Sequence, residues 1–261
     1  REKTIKYDGR EQKGTDALGN PIWDYHWKES QIEEATNDNL LRLNNAHLNN
    51  SSHSHNEMRF AGGRVEMEYS AIVHSVRNSH GEPIHTGSDI HIEALRSLKW
   101  DEETMKAQGR YDTAALKLHE VKINAVDDIE LIAGTMHLKD NYDLKAGRGI
   151  YAVSMAEYET TNGVGHVTLT KENVFRLEGS FTEADGHVQI LGGKLEFSGG
   201  KIHGYGATLS RRKTLEIMAA KSGVIHNTGS SAAEEPQRYQ WSALTADQEN
   251  TIQLRDTDIM Y

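Results

Sequence analysis

The chain repeats one short phrase: a run in which apolar and polar side chains alternate, closed by turn residues. Val65, Met67, Tyr69, Ala71 and Val73 read onto one face of one segment. Glu66, Glu68, Ser70 and His74 read onto the other, with Ile72 the exception. A two-residue period is the mark of a strand with one apolar and one wet side. The phrase recurs at Ile90, Ile92 and Ala94, at Leu116–Leu118, Val121–Ile123, Ile129–Leu138, Val167–Leu169 and Phe175–Leu177. It continues through Phe181, Val188–Ile190, Leu195–Phe197, Leu209 and Leu215–Ile217, with glycine pairs at 192–193 and 199–200 between the last runs. The chain is therefore all-β. A strand every ~8–12 residues is the signal of a sandwich, a barrel or a solenoid.

Composition narrows the function classes. The 261 residues allow one large all-β domain or two smaller ones. A net charge of −10 with scattered Lys and Arg argues against a phosphate-tracking surface, so no nucleic acid is expected. The one short basic run, Arg211-Arg212-Lys213, suits a strand-end turn. No cysteine is present, which excludes disulfides and thiolate catalysis and disfavours a zinc finger. It fits an exported bacterial protein or a cytosolic one equally. No stretch approaches the ~18 apolar residues of a membrane-spanning helix.

Two segments echo each other. Ile22, Trp23, Tyr25 and Trp27 form an aromatic strand, and Tyr25-His26-Trp27 is matched by Tyr239-Gln240-Trp241. Each is followed by a polar acidic stretch and then by alternating apolar residues: Leu41, Leu43 and Leu48 in one case, Ile252, Leu254 and Ile259 in the other. The expected organisation is a β-unit over 1–225, a polar linker over 226–238, and strands at 239–261 that either open a second similar unit or, with Tyr25-His26-Trp27, are ordinary aromatic edge strands.

Candidate chemistry is sparse. His53 and His55 share a face if on a strand, and His80, His85 and His91 group loosely. No recognisable ligand spacing completes them, so solvated histidines are expected and no metal. Asp127-Asp128 and Glu102-Glu103 are adjacent acids, which on a strand face opposite ways and make poor catalytic pairs. Ser154, Ser210 and Ser222 lack a G-x-S-x-G context. Gly204-Tyr205-Gly206 has no helix after it to hold a phosphate. No enzyme and no cofactor are expected. Trp23, Tyr25, Trp27, Tyr69, Trp100, Phe175, Phe181 and Phe197 either pack a core or line a groove.

Three segments resemble the periplasmic bridge proteins of lipopolysaccharide transport, the LptA/LptC family with its OstA-type β-jellyroll. They are Gly19-Asn20-Pro21-Ile22-Trp23 with Leu41-Arg42-Leu43-Asn44-Asn45-Ala46-His47-Leu48; Ile132–Leu138 with Tyr142–Gly149; and Glu157–Leu169. Their order and spacing carry the resemblance, which spans most of residues 18–225 and suggests a divergent or tandem member. It implies an open, twisted β-jellyroll or β-taco of short antiparallel strands. It further implies a groove that shelters acyl chains, at ~0.8 kcal/mol per CH₂, and partners of the same fold joined by edge-strand addition. The implied location is the periplasm, with anchoring to the inner membrane through a segment outside this chain. The expected groove lining is Val65, Met67, Tyr69, Ile90, Ile92, Leu131, Ile190, Leu195 and Phe197. The competing expectation is a structural β-solenoid, such as a phage spike or surface adhesin, with a filled interior. A third, a β-sandwich binding module or carbohydrate-active domain, would need an aromatic platform on the outer face or a carboxylate pair.

Overall fold

In a computed structural model of the chain, the structure describes residues 6–15, 21–28, 39–50, 57–75, 89–101, 106–161, 164–204, 214–227 and 239–260. The described residues are strands and turns. β1 (Lys6–Thr15) and β2 (Pro21–Lys28) pair as an antiparallel ribbon. From there the chain winds into stacked coils of up to three strands. Coil 1 holds β3 (Leu40–Asn44), β4 (His47–Asn50) and β5 (Met58–Gly62). Coil 2 holds β6 (Arg64–Glu68), β7 (Ala71–His74) and β8 (Ile90–Ala94), and then throws out an arm, β9 (Ser97–Asp101) and β10 (Lys106–Arg110). Coil 3 holds β11 (Ala115–His119), β12 (Lys122–Ala125) and β13 (Asp128–Ala133). Coil 4 holds β14 (Thr135–Lys139), β15 (Asp143–Ala146) and β16 (Gly149–Ser154), with the arm β17 (Glu157–Thr161) and β18 (Val164–Thr168). Coil 5 holds β19 (Val174–Glu178), β20 (Phe181–Ala184) and β21 (His187–Gly192). Coil 6 holds β22 (Lys194–Ser198), β23 (Lys201–Gly204) and β24 (Thr214–Ala219), with the arm β25 (Ser222–Asn227) and β26 (Tyr239–Thr245). Coil 7 holds β27 (Thr251–Arg255) and β28 (Asp258–Met260).

Each strand pairs in parallel with its counterpart one coil away, and this corrects the expected antiparallel jellyroll. The first strands of the coils form a seven-stranded sheet, the second strands another of seven, and the third strands one of six. These three parallel sheets enclose a β-solenoid. Alternation reveals which face of a strand is apolar but not which strand lies beside it. The pairing rule is a repeat of 20 residues, as between Leu116 and Met136 or Phe175 and Leu195. The arms interrupt that repeat after every second coil, which is why the strand spacing looks irregular in sequence.

The interior is built of in-register apolar ladders. One runs Leu41, Val65, Leu116, Met136, Phe175, Leu195, Ile252; its neighbour runs Leu43, Met67, Leu118, Leu138, Leu177, Phe197, Leu254. The rings of Phe175 and Phe197 lie 5.8 Å apart on successive coils. From coil 2 to coil 6 these side chains are sealed from solvent. Each contributes about 1.5–3 kcal/mol by burial.

The corner between the first and second strands is a turn of two residues, three in coil 4, whose first residue is left-handed. Asn45, Tyr69, Glu120, Asp140, Gly179, Gly199 and Asp256 all have φ between 48° and 64°. The second corner residue points inward in coils 2 to 5, where Ser70, Val121, Asn141 and Ser180 are buried. Asn141 donates to the Leu118 carbonyl at 3.0 Å and to Ser180 Oγ at 3.1 Å, and accepts from Val121 N at 2.9 Å. The polar backbone at the bend is thus satisfied inside the stack. The segment from Val65 to Val73 is consequently two strands around a corner rather than one. The turn resets the phase, so Ile72 and His74 face inward while Ala71 and Val73 do not.

The arms form their own six-stranded antiparallel sheet, in the order β26, β25, β18, β17, β10, β9. It lies against the outer face of the third parallel sheet. Leu95, Tyr111, Val153, Met155, Val167, Leu169, Leu191, Ala220 and Ile225 make a second core between them. The two sheets match in pitch for a simple reason. Every strand in a sheet advances about 4.8 Å. One hairpin per two coils supplies two flank strands for every two coil strands, so the flank neither lags nor crowds. Where an arm returns to the solenoid it crosses a glycine. A Cβ on Gly193 would lie 1.6 Å from the Thr170 carbonyl oxygen, and one on Gly134 would lie 1.9 Å from that of Tyr111. Asn173 fixes the return by donating to the Gly134 carbonyl at 2.9 Å and accepting from Thr170 N at 2.7 Å. Asn250 repeats this with the Gly193 carbonyl and Asp247 N.

β27 and β28 pair in register with β22 and β23, so residues 251–260 add a coil to the same stack. The aromatic echo falls on equivalent elements: β2 and β26 are each the second strand of an antiparallel pair that precedes a first and second coil strand. Most of 226–238 lies outside the described residues.

Candidate functional site

The densest group of buried ionisable side chains lies on the outer face of the third parallel sheet, in coils 1 to 4. Two phrases produce it. In Asp89-Ile90-His91-Ile92-Glu93 the isoleucines point into the solenoid, so Asp89, His91 and Glu93 point out. In Asp128-Ile129-Glu130-Leu131 the same rule sends Asp128 and Glu130 outward. Parallel register then sets Arg59, His91, Glu130 and Tyr151 side by side across four strands.

His91 is the centre. Its Nδ1 is 2.9 Å from Glu130 Oε2 and its Nε2 is 3.4 Å from Glu93 Oε2. Arg59 Nη2 donates to Glu93 Oε2 at 2.8 Å, and Tyr111, at the end of the first arm, donates its hydroxyl to Glu93 Oε1 at 2.7 Å. Glu57, at the coil 1 rim, comes within 3.9 Å of His91. Burial by itself would lower the His91 pKa, but the bonds to Glu130 and Glu93 and their charges override it and raise it to about 9. Burial likewise opposes ionisation of Glu93, yet its bond to His91, the His91 charge, Arg59 and Tyr111 bring it down to about 2. Tyr111 is pushed well up by burial and by the Glu93 charge. At neutral pH the cluster is therefore an imidazolium held between two carboxylates, with Tyr111 a neutral donor.

A second group adjoins it at the corner where the strands begin. Arg148 Nε lies 3.0 Å from Asp127 Oδ1, and its Nη2 is paired with Asp128. Asp89 accepts from the Asp128 backbone N at 3.1 Å. The Arg148 pKa is raised: burial works against the charge, and Asp128 and Asp127 outweigh it. Carboxylate oxygens of Asp89, Asp127 and Asp128 lie within 4.8 Å of one another, a spacing at which a cation can be bridged. Arg148 occupies that role for Asp127 and Asp128.

The expected groove lining fares unevenly. Val65, Met67, Ile90, Ile92, Leu131 and Leu195 are fully buried, and Ile190 and Phe197 nearly so, but they pack against one another inside a closed coil rather than along an open trough. Tyr69 is the exception; it sits at a corner and is 51% exposed. Asp127 and Asp128, read as a poor catalytic pair, are both buried and share Arg148. Ser154 is buried and donates to the Gly134 carbonyl at 2.9 Å, a structural bond. Phe175 and Phe197 are core, while Phe181 stacks edge-on against His203. His53, His55, His80, His85, Glu102, Glu103, Ser210, Tyr205, Gly206 and the run 211–213 lie outside the described residues, as do the side chains of Trp23, Tyr25, Trp27 and Trp100.

The His91 cluster escaped the sequence reading because Arg59, His91 and Glu130 are far apart in the chain. The available signal was polar residues at every outward position of two isoleucine-rich runs. The asparagine anchors had a clearer one, a Thr or Asp three residues before Asn, at 170–173 and 247–250. The chain matches no family model, no curated protein and no solved structure.

Proposed function

We propose that this chain is a structural β-solenoid segment, a rigid spacer whose work is mechanical and non-enzymatic. One observation carries the reading: from coil 2 to coil 6 the interior is filled by the protein's own in-register side chains, leaving no lining for an acyl chain. The two-coil period supports it. One short coil plus one armed coil is a complete unit with its own flank strands, so length is adjustable in whole units. The buried ion pairs serve the same end. They join coils 1 to 4 across the outer face of the third sheet. Mass spectrometry of an organic extract of the purified chain tests the reading. It predicts no stoichiometric lipid; one acyl-chain glycolipid per chain would overturn it in favour of transport.

A further inference from the structure

We propose that the corner between the first and second parallel sheets, at coils 2 to 4, is a binding site for a neutral oligosaccharide. Two departures from the coil rule meet there, and each presents a tyrosine. The left-handed corner position is held by Asn, Asp or Gly in five coils and by Glu in one, but by Tyr69 in coil 2, at φ 49°. That backbone disfavours a bulky side chain. Coil 4 has one residue more at this corner than coils 3 and 5. Lys139 aligns with His119 and Asp143 with Lys122, so three residues bridge where coil 3 uses two, and Tyr142 ends the longer bridge. The rings are 51% and 59% exposed, the most exposed aromatic side chains among the described residues.

They stand two coils apart, about 10 Å along the axis. The His119 ring lies in the coil between, its centroid 5.6 Å from that of Tyr69. Beside this ridge is a shallow depression of about 240 Å³ across the first strands of coils 2 to 4. Its polar lining is Glu66, Glu68, Lys117, Lys139, His119 and His137. The size suits a sugar ring rather than a larger organic molecule. A pyranose offers a C–H face that stacks on an aromatic ring and hydroxyls that both donate and accept. The ridge supplies the rings, and the depression supplies acceptors and donors in balance. Two carboxylates against two ammonium groups leave nothing to select a strongly charged ligand. A linear oligosaccharide laid along the axis meets both tyrosines at once.

The test is binding of the full chain to immobilised maltohexaose, cellohexaose and hexa-N-acetylchitohexaose, with acidic glycans alongside. The expected result is salt-insensitive binding to at least one neutral oligosaccharide. It weakens roughly tenfold in Tyr69→Asn and again in Tyr142→Ser. Asn is the corner residue of coil 1, so Tyr69→Asn keeps the fold and an unchanged or higher melting temperature separates lost contact from unfolding. Failure to bind all three neutral oligosaccharides, binding to acidic glycans alone, or full binding in the double variant would overturn the proposal.

Discussion

The two faces of the third parallel sheet obey different rules. Its inner face repeats one solution in every coil: Ile90, Ile129, Ile150 and Val188 in one row, Ile92, Leu131, Ala152 and Ile190 in the next. Its outer face changes character along the axis. It is charged at coils 1 to 3, through Arg59, His91, Glu93 and Glu130; at coils 4 to 6 that row runs on as Tyr151, Gln189 and Glu216, and the row beside it turns apolar, through Val153, Leu191 and Met218. The inner face has no freedom, because each residue must fit its counterpart above and below. The outer face is covered by arms that come with alternate coils, so each arm brings its own chemistry. Stability therefore rests on the ladders, and the buried ion pairs are concentrated at the His91 end of the flank.

The largest expected effect separates register from size. Deleting residues 135–193 removes coils 4 and 5 with one arm, a whole unit. It brings β22 onto β11 and β25 onto β10. Deleting 174–193 removes coil 5 alone and shifts the flank by one strand, about 4.8 Å, against the sheet it covers. The longer deletion should retain a single cooperative thermal transition, and the shorter should lose the flank or the fold. Circular dichroism melts of both decide it. Next comes Gly193→Ala, whose Cβ meets backbone; a loss of at least about 3 kcal/mol in urea unfolding is expected. Gly199→Ala, with nothing within 4 Å of its Cβ but a φ of +64°, should cost only about 1 kcal/mol.

The His91 end gives a pH signature. His91 has a folded pKa of about 9 against an ordinary 6.5, so its contribution is complete below 6.5 and disappears as pH rises through 9. Glu93 has a folded pKa of about 2 against 4.5, so its contribution is complete above 4.5 and disappears as pH falls toward 2. Stability should peak between the two, and His91→Gln should flatten the alkaline limb, worth roughly 2–3 kcal/mol, in melts taken across pH. The smallest effect is at the corner. Tyr69→Asn should raise stability by about 1 kcal/mol, because Asn accepts the left-handed turn.

Much of the fold is legible in the sequence once its interruptions are known. Alternation placed eight of the nine expected lining residues inside, because the strand period holds whatever the partner strand is. It failed at Tyr69 and Ile72, where a two-residue corner resets the phase without a Gly or Pro to announce it. Parallel pairing was hidden because arms separate Met67 from Leu118 and Leu138 from Leu177, breaking the 20-residue repeat between coils 2 and 3 and between coils 4 and 5. The His91 cluster was less legible still. Its members are neighbours only after the coil has closed, and acids in alternating strands look solvated until a flank is known to cover them.

The central claim is an axial stack of coils, and distances between spin labels test it most directly. The chain has no cysteine, so pairs can be introduced cleanly on one outward row: Arg42, Glu66, Lys117, His137, Arg176, Glu196 and Gln253. From Gln253 to Lys117, Glu66 and Arg42 the separations should rise by about 4.8 Å per coil, to roughly 19, 24 and 29 Å. Separations that do not increase in that order would contradict the solenoid.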